Sequence, residues 1–587
     1  MSTARRMRRS ASSVFLSFAL AAGVIVLTPV SASAATITVT DSGNAGPGTL
    51  RAAVAASNVD DVIEFDPSVT TVTLESYITI RHSLRIAGAV TIKGGFSIEP
   101  VMPNVDVRFG SFILDGTGFA GVGFQTPPGA YPVRDLTIGA VIVENFSLGG
   151  ATLAVTGHLD VHASVFRSNT ASAGAGLSIQ DASSVAIRDT TFEGNAASDV
   201  GGGLLLDDIV APVSMTRTTF NANSAVSGGG AIAMVGSMLF SITDSVFTGN
   251  TVSDGTGGAI HAGPNAGILV TERSTFRGNA SITEDHDEAV GGAISMASTS
   301  GAVAILQSTF RENSATTADG WGTAGAVAIG ELTGAGQLFV DASTFADNPA
   351  IDSSESFAGS ASVGVGGFVT GTRIDVINST FRESTDLDED LMGIGLFLAD
   401  TGGALTVQHS TFEATAAAVI FPWGDAGTAV FENSILSGGP LAVGGSTPSV
   451  LPFNGADLRH NVLTGPMSPD YNDLGGNQFN TDPLLGALQD NGGPTHTMLL
   501  GASSPAINAG TPGVITFATD QRGDGFARVL DGTVDVGAVE VAAADVPPLL
   551  AATGADDSTW LLVGGGGILI LGLALVLMRR FFGGSRA

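Results

Sequence analysis

The chain of 587 residues contains no cysteine and one lysine, Lys93. The first absence excludes disulfide staples and thiolate metal sites. The second leaves one amine for any intramolecular Lys–Asn isopeptide bond, so such bonds are not what holds the chain together. Tryptophan and tyrosine occur three times each, too few for a run of aromatic platforms. Positive charge is also scarce, with 24 basic against 55 acidic groups and a net charge of -31. No basic surface is available to neutralise phosphates, which excludes nucleic acid as a partner.

What is abundant is glycine, 80 residues, and it falls in a pattern. Between residues 166 and 436 a short unit recurs, ending in Ser/Thr-x-Phe at Phe166, Phe192, Phe220, Phe247, Phe276, Phe310, Phe345, Phe381 and Phe412. The spacing is 26, 28, 27 and 29 residues, then widens to 34, 35, 36 and 31. Asn stands three residues after most of these Phe, at Asn169, Asn195, Asn223, Asn250, Asn279, Asn313 and Asn348. A Gly doublet then opens an apolar run, as in Gly229-Gly230-Ala231-Ile232 and Gly257-Gly258-Ala259-Ile260. A fixed short period of this kind is the signature of a solenoid.

Within a unit the apolar residues alternate. Ile232 and Met234 flank Ala233, and Leu177 and Ile179 flank Ser178. Period two means strands, too short to bury a core singly but able to do so when stacked. The expected fold is all-β: a right-handed parallel β-helix, since parallel crossovers are right-handed. Phe would form an internal column and Gly the sharp corners. Asn would sit at turns, tolerating left-handed backbone and hydrogen-bonding up the stack. Ser or Thr stands two residues before every Phe, from Ser164 and Thr190 to Ser410, and reads as a structural column. One position earlier, Asp189, Arg217, Asp244 and Arg273 alternate in sign, as in-register ion pairs would.

The F-x-x-N and G-G-A-I elements resemble the repeats of the polymorphic outer-membrane-protein and adhesin-like β-helix families. The resemblance implies the fold and leaves activity open.

Taken in order, residues 1–34 form a signal peptide. Arg5, Arg6, Arg8 and Arg9 precede an apolar stretch over 14–30 and an Ala-Ser-Ala site, so cleavage is expected between Ala34 and Ala35. Residues 35–165 read as an N-terminal cap and first coils, with strands at 61–65 and 71–74. A short helix near 50–57 would hide the end of the solenoid from edge pairing. Residues 437–480 read as irregular coils. Residues 481–541 carry Asn491-Gly-Gly-Pro494, Ser504-Pro-Ala-Ile-Asn-Ala-Gly510, Asp520-Gln-Arg-Gly523 and Asp535-Val-Gly-Ala-Val-Glu540. In that order they resemble the choice-of-anchor Q domain of bacterial surface β-helix proteins, which implies a terminal cap beside an anchor.

In the linker 542–559, Leu550-Ala551-Ala552-Thr553-Gly554 resembles a sortase sorting signal. Behind it Trp560–Met578 is apolar and long enough to be a transmembrane helix. Arg579-Arg580 opens a cytoplasmic tail, 579–587. The resemblance implies cleavage between Thr553 and Gly554 by a housekeeping sortase of high-GC Gram-positive bacteria. Thr553 would then be joined to peptidoglycan, giving a secreted, wall-anchored protein that is membrane-bound only before sorting. Residues 35–553 carry 17 basic and 53 acidic groups.

Enzymes on β-helix scaffolds carry carboxylates or guanidinium groups on the outward face of one sheet. The expected outward row, Ser178, Leu205, Ala233, His261, Ser295, Ala328, Thr370 and Phe397, has neither, so no catalytic residue is assigned. Two-carboxylate hydrolysis has no candidates there, and Trp321 and Trp423 read as isolated turn residues. His158, Asp160 and His162 share one strand face and are weak metal candidates. The acidic insertions 284–288 and 386–390 lack the ligand spacing of a dedicated Ca²⁺ loop. They leave weak Ca²⁺ binding open, and no other cofactor is expected. The widened loops 281–290, 314–323 and 349–362 would project from one corner as a binding surface. The expected function is adhesin-like binding of a glycan or protein ligand, or a structural stalk. The alternative is a surface polysaccharide lyase or glycoside hydrolase.

Overall fold

The computed structural model describes residues 34–541 apart from the segments 237–238, 284–289, 318–323, 353–358, 384–391, 400–401, 415–419, 424–426, 439–454, 466–470 and 512–516. The sorting motif, the apolar span 560–578, both acidic insertions, Trp321 and most of the widened loops therefore lie outside the described residues. Among those described, no helix is long and apolar enough to cross a membrane. The chain forms two compact units, divided after Asn223.

One coil of the first unit shows how the sequence makes the fold. Leu177–Gln180, Ser184–Arg188, Thr191–Glu193 and Ala196–Ala197 are successive strands joined by corners. Leu204–Asp207 then lies parallel and in register on Leu177–Gln180. Each coil thus contributes to three main sheets, and the chain is a parallel β-helix. We call these the roofed sheet (Leu177–Gln180 and its equivalents), the open sheet (Ser184–Arg188) and the phenylalanine sheet (Thr191–Glu193). Alternation sends Leu177, Ile179, Val185, Ile187 and Phe192 inward, where all are buried.

In the first unit Phe166, Phe192 and Phe220 stack with centroids 5.1 and 4.6 Å apart and rings within 9° of parallel. Each such pair contributes about 0.5–1.5 kcal/mol beyond its burial. Thr49 caps the helix Leu50–Ala56, accepting from the Ala52 N–H. This helix buries Leu50 and Ala53 against the strands Thr36–Val39 and Ile78–Ile80. The expected helix and the strands Asp61–Phe65 and Thr71–Thr73 are all present.

The second unit repeats the arrangement with stacks from Phe247 to Phe412 at 4.5–4.9 Å. Its Ser column is buried: Ser274 Oγ donates to the Glu272 carbonyl and accepts from the Ser245 N–H. Gly229 has φ +61°, and a Cβ there would collide with the Ile232 carbonyl, so the first glycine of the doublet is required by its corner.

The Asn column differs from expectation in one respect. The left-handed residue is the one before each Asn: Ser168, Gly194 and Ala222 in the first unit, and Gly249, Gly278, Glu312 and Asp347 in the second. The Asn side chain does hydrogen-bond up the stack as expected, turned into the core as a buried ladder. Asn279 Nδ2 donates to the Phe247 carbonyl and to Asn313 Oδ1, while its N–H also donates to Asn313 Oδ1. An amide has both donors and an acceptor, so it can satisfy backbone groups and its neighbour together.

Residues 481–511 and 517–541 lie along the flank of the second unit, over the outer face of its phenylalanine sheet. Gln521 is fully buried there. Its Nε2 donates to Thr344 Oγ1 at 2.9 Å, and its Oε1 accepts from Thr380 Oγ1 at 2.5 Å. Thr344 Oγ1 donates to the His496 carbonyl at 2.6 Å, and Thr411 Oγ1 accepts from the Ala538 N–H at 3.0 Å. Ile435 and Val462 of the coils share a small core with Leu500, Ala506, Val536, Ala538, Val539 and Val541. The flank offers these partners because the Thr of Ser-Thr-Phe at Thr344, Thr380 and Thr411 points outward.

Within 437–480, Ala456–Arg459 and Val462–Leu463 lie in register on the strands before them. One further expectation changes. Trp423 ends the strand Ile420–Trp423 rather than occupying a turn.

Candidate functional site: the open-sheet face of the first unit

The outward row expected to expose any catalytic groups belongs to the roofed sheet. Ser178, Leu205, Ala233, Ser295, Ala328 and Phe397 are all buried. The corners fold over them: a Cβ on Gly174 would meet Ser178 and Leu205, and Thr256 Oγ1 lies 2.7 Å from His261 Nδ1. Thr370 is not in the row, because the register places Gly364 between Ala328 and Phe397. A covered sheet offers no bound ligand access.

The open sheet has no such roof in the first unit. Its strands Leu84–Ala87, Val105–Gly110, Val133–Gly139, Ala151–His162 and Ser184–Arg188 stack in parallel register. Leu136, Ile138, Leu159 and Val161 point inward and are buried. Alternation therefore sends their neighbours outward, and these are densely charged. One outward column runs Arg85, Arg108, Thr137, Asp160, Ala186. Beside it on one side run Asp106, Asp135, His158 and Ser184, and on the other Gly110, Gly139, His162 and Arg188.

Most of these charges are matched internally. Asp106 pairs with Arg134, and Asp135 lies 3.3 Å from the same guanidinium. Asp135 Oδ1 also accepts from the His158 N–H. Arg188 grips Asp160 with both terminal nitrogens. His158 Nδ1 lies 2.7 Å from Ser184 Oγ, and His162 Nδ1 lies 3.3 Å from Asp160 Oδ2. The His162 ring leans over Gly139, where a Cβ would sit 2.5 Å from Nε2, so only glycine permits that position.

His158, Asp160 and His162 thus share an outward face, as their alternation with Leu159 and Val161 predicts. Asp160 is held by Arg188, and among the described residues no group of three His, Asp or Glu is placed to hold a metal ion. Ala34 and Ala35 are both exposed. Ala35 is already tied into the fold, its N–H donating to Asp61 Oδ1 at 2.8 Å and its carbonyl accepting from Val62.

Sequence reasoning looked for catalytic groups beside the Gly doublets and picked out only His158, Asp160 and His162 of this face. The signal was available: Arg85, Arg108 and Asp160 each stand between apolar residues in short alternating runs. Only the register shows that they share one surface.

Residues 131–349 match the family model described as a right-handed β-helix region. A comparison with curated proteins gives no match. Among solved structures, a crystal structure of pectate lyase Pel9A is 14% identical, with 86% of this chain and 97% of that chain covered, at a TM-score of 0.20. A likeness that loose carries no argument about activity. The chain is a β-helix repeat protein.

Proposed function

We propose that this is an extracellular surface protein, secreted through the segment 1–34 and anchored to the cell wall at Thr553 by a sortase. Its β-helix then presents the open-sheet face of residues 85–188 to a glycan or protein ligand. The anchoring rests on the order of motif, spacer, apolar span and Arg pair between 550 and 580. Binding rather than hydrolysis rests on one observation. Asp106, Asp135 and Asp160, the carboxylates within that face, are each engaged by arginine, while hydrolysis needs two carboxyl groups free to act as acid and as base or nucleophile. The 3.3 Å contact between His162 and Asp160 favours a second reading, a surface polysaccharide lyase or hydrolase with the imidazole as its proton carrier.

The test is to present the purified full chain with a panel of plant, host and bacterial polysaccharides, recording retention and product release together. Retention without new reducing ends or unsaturated products is the expected result. Product release that disappears in H162A would replace binding with catalysis. For the anchor, Thr553→Ala should move the protein from the cell-wall fraction to the membrane fraction, and an unchanged wall fraction would remove sorting from the proposal.

A further inference from the structure

Arg85 and Arg108 stand out on the open sheet because nothing among the described residues neutralises them. They are register partners on adjacent parallel strands, about 4.8 Å apart along the stack. Both are exposed. Among the described residues neither forms an ion pair or a hydrogen bond through its side chain. Elsewhere in the unit Arg134, Arg167, Arg188 and Arg217 each face a carboxylate, and Arg51 is spent on the carbonyls of Asn44, Ser76 and Tyr77. The nearest candidate partners are accounted for. Asp106 on the same strand is held by Arg134, and Glu64, outward on the neighbouring strand, pairs with neither arginine.

Like charges directly opposite across two strands are destabilising, and a guanidinium cannot shed its proton to relieve the repulsion. A chain with 55 acidic groups has ample means to neutralise such a pair. It does so at Asp189–Arg217, at the same distance along the stack. The pair is also where the chain is least acidic: residues 35–223 carry 9 basic and 18 acidic groups, against 8 and 35 in residues 224–553.

We infer that Arg85 and Arg108 form a subsite for an acidic polysaccharide, one carrying carboxylate or sulfate groups, laid along the stacking direction over Arg85, Arg108 and Thr137. This rests on the binding function proposed above and names its ligand class. The guanidinium fork matches carboxylate and sulfate oxygens two at a time. An extended ligand is required because the face is open: with no walls around the pair, a small anion gains too little from two solvated contacts. Nucleic acid does not fit, since two arginines with no aromatic stacking partner neutralise too few phosphates.

The test uses the full chain and three immobilised polymers: polygalacturonate, dextran sulfate and uncharged dextran. The wild type should be retained on at least one acidic polymer, with retention falling as NaCl rises, and not on dextran. Which acidic polymer is retained distinguishes carboxylate from sulfate. The double variant R85Q/R108Q should weaken that retention at least tenfold with a melting temperature unchanged or raised, since both side chains are exposed and only their mutual repulsion is lost. Arg217→Gln, which breaks an internal pair, should leave it unchanged. Undiminished retention by R85Q/R108Q would overturn the subsite. Retention on uncharged dextran alone would overturn it while leaving a glycan binder. Retention on none of the three would overturn both the subsite and the glycan form of the proposed function.

Discussion

The second unit contains the same surface twice, once bare and once covered. Thr275 and Thr309 stand before Phe276 and Phe310, point outward and are half-buried. Thr344, Thr380 and Thr411 hold the same position in later coils and are buried under residues 495–538. The residue type, the strand and the register are unchanged. The corner residue two positions earlier is what changes. It is Arg273, then Gln307, beside the bare threonines, and Ala342, Asn378 and His409 beside the covered ones. A charged corner is content in water and costly under a lid. Asn378 instead accepts from buried Arg528 at 2.6 Å, and Ala342 offers its carbonyl to Thr495. The threonine is common to both kinds of site, and the corner beside it differs.

The largest effect should come from Gln521, which holds two coils at once. Gln521→Ala strands the Thr380 hydroxyl, leaves Thr344 Oγ1 with its bond to the His496 carbonyl but without its donor from Gln521, and leaves a cavity. We expect a loss of about 3 kcal/mol, with the amides of residues 495–538 exchanging faster while those of Phe276 and Phe310 do not. Equal acceleration in both regions would mean that the flank segment and the coils unfold as one.

Next comes pH. Burial, aided by the charge of Arg528, pushes the His409 imidazole down from its ordinary 6.5 to about 3. Its Nε2 lies 3.3 Å from Asn433 Nδ2. The unfolded chain therefore binds the extra proton first, and stability falls as pH drops from 6.5 toward 3. Glu540 runs the other way: burial raises it from 4.5 to about 8, so its contribution, full below 4.5, is lost as pH rises through 8. Thermal melts of His409→Gln and Glu540→Gln should flatten the acid and the alkaline side respectively. A smaller contrast compares threonines directly. Thr344→Val should cost about 1–2 kcal/mol through its unpaired partners, and Thr275→Val within about 0.5 kcal/mol. The smallest belongs to the bare corner, where Arg273→Ala removes an exposed pair with Asp244 and should shift stability by under about 0.5 kcal/mol.

How much was legible follows the same division. Period-two alternation and the Phe, Ser and Gly columns are properties of one coil repeated, so they could be read from the chain, as could the ion pairs of the charged corners. The motif residues of 481–541 were also visible, and they form that segment's own frame. Asp535 accepts from the N–H groups of Asn508 and Val541, and Asp520 accepts from that of Glu540. Where the segment lies was not legible, because it depends on partners more than a hundred residues away, such as Gln521 and Thr344. The Asn ladder was legible too, but the left-handed corner lies one position before each Asn. Asn suits a left-handed corner by propensity, but a buried amide that completes a neighbour's hydrogen bonds is worth more. The open-sheet face needed the register of five coils before its charges came together.

That ladder has one more property. From Asn250 through Asn279 and Asn313 to Asn348 each side-chain amide gives one proton to the Asn oxygen of the next coil, and the last gives one to Ser362 Oγ. Every interior rung therefore has the same donor behind it and the same acceptor ahead, whatever their number. A duplicated coil inserted between two rungs meets the bonds it needs already in place, whereas one appended beyond Ser362 must find a new terminator. Repeat number can drift in descendants of this gene by internal duplication, while both ends of the array stay put.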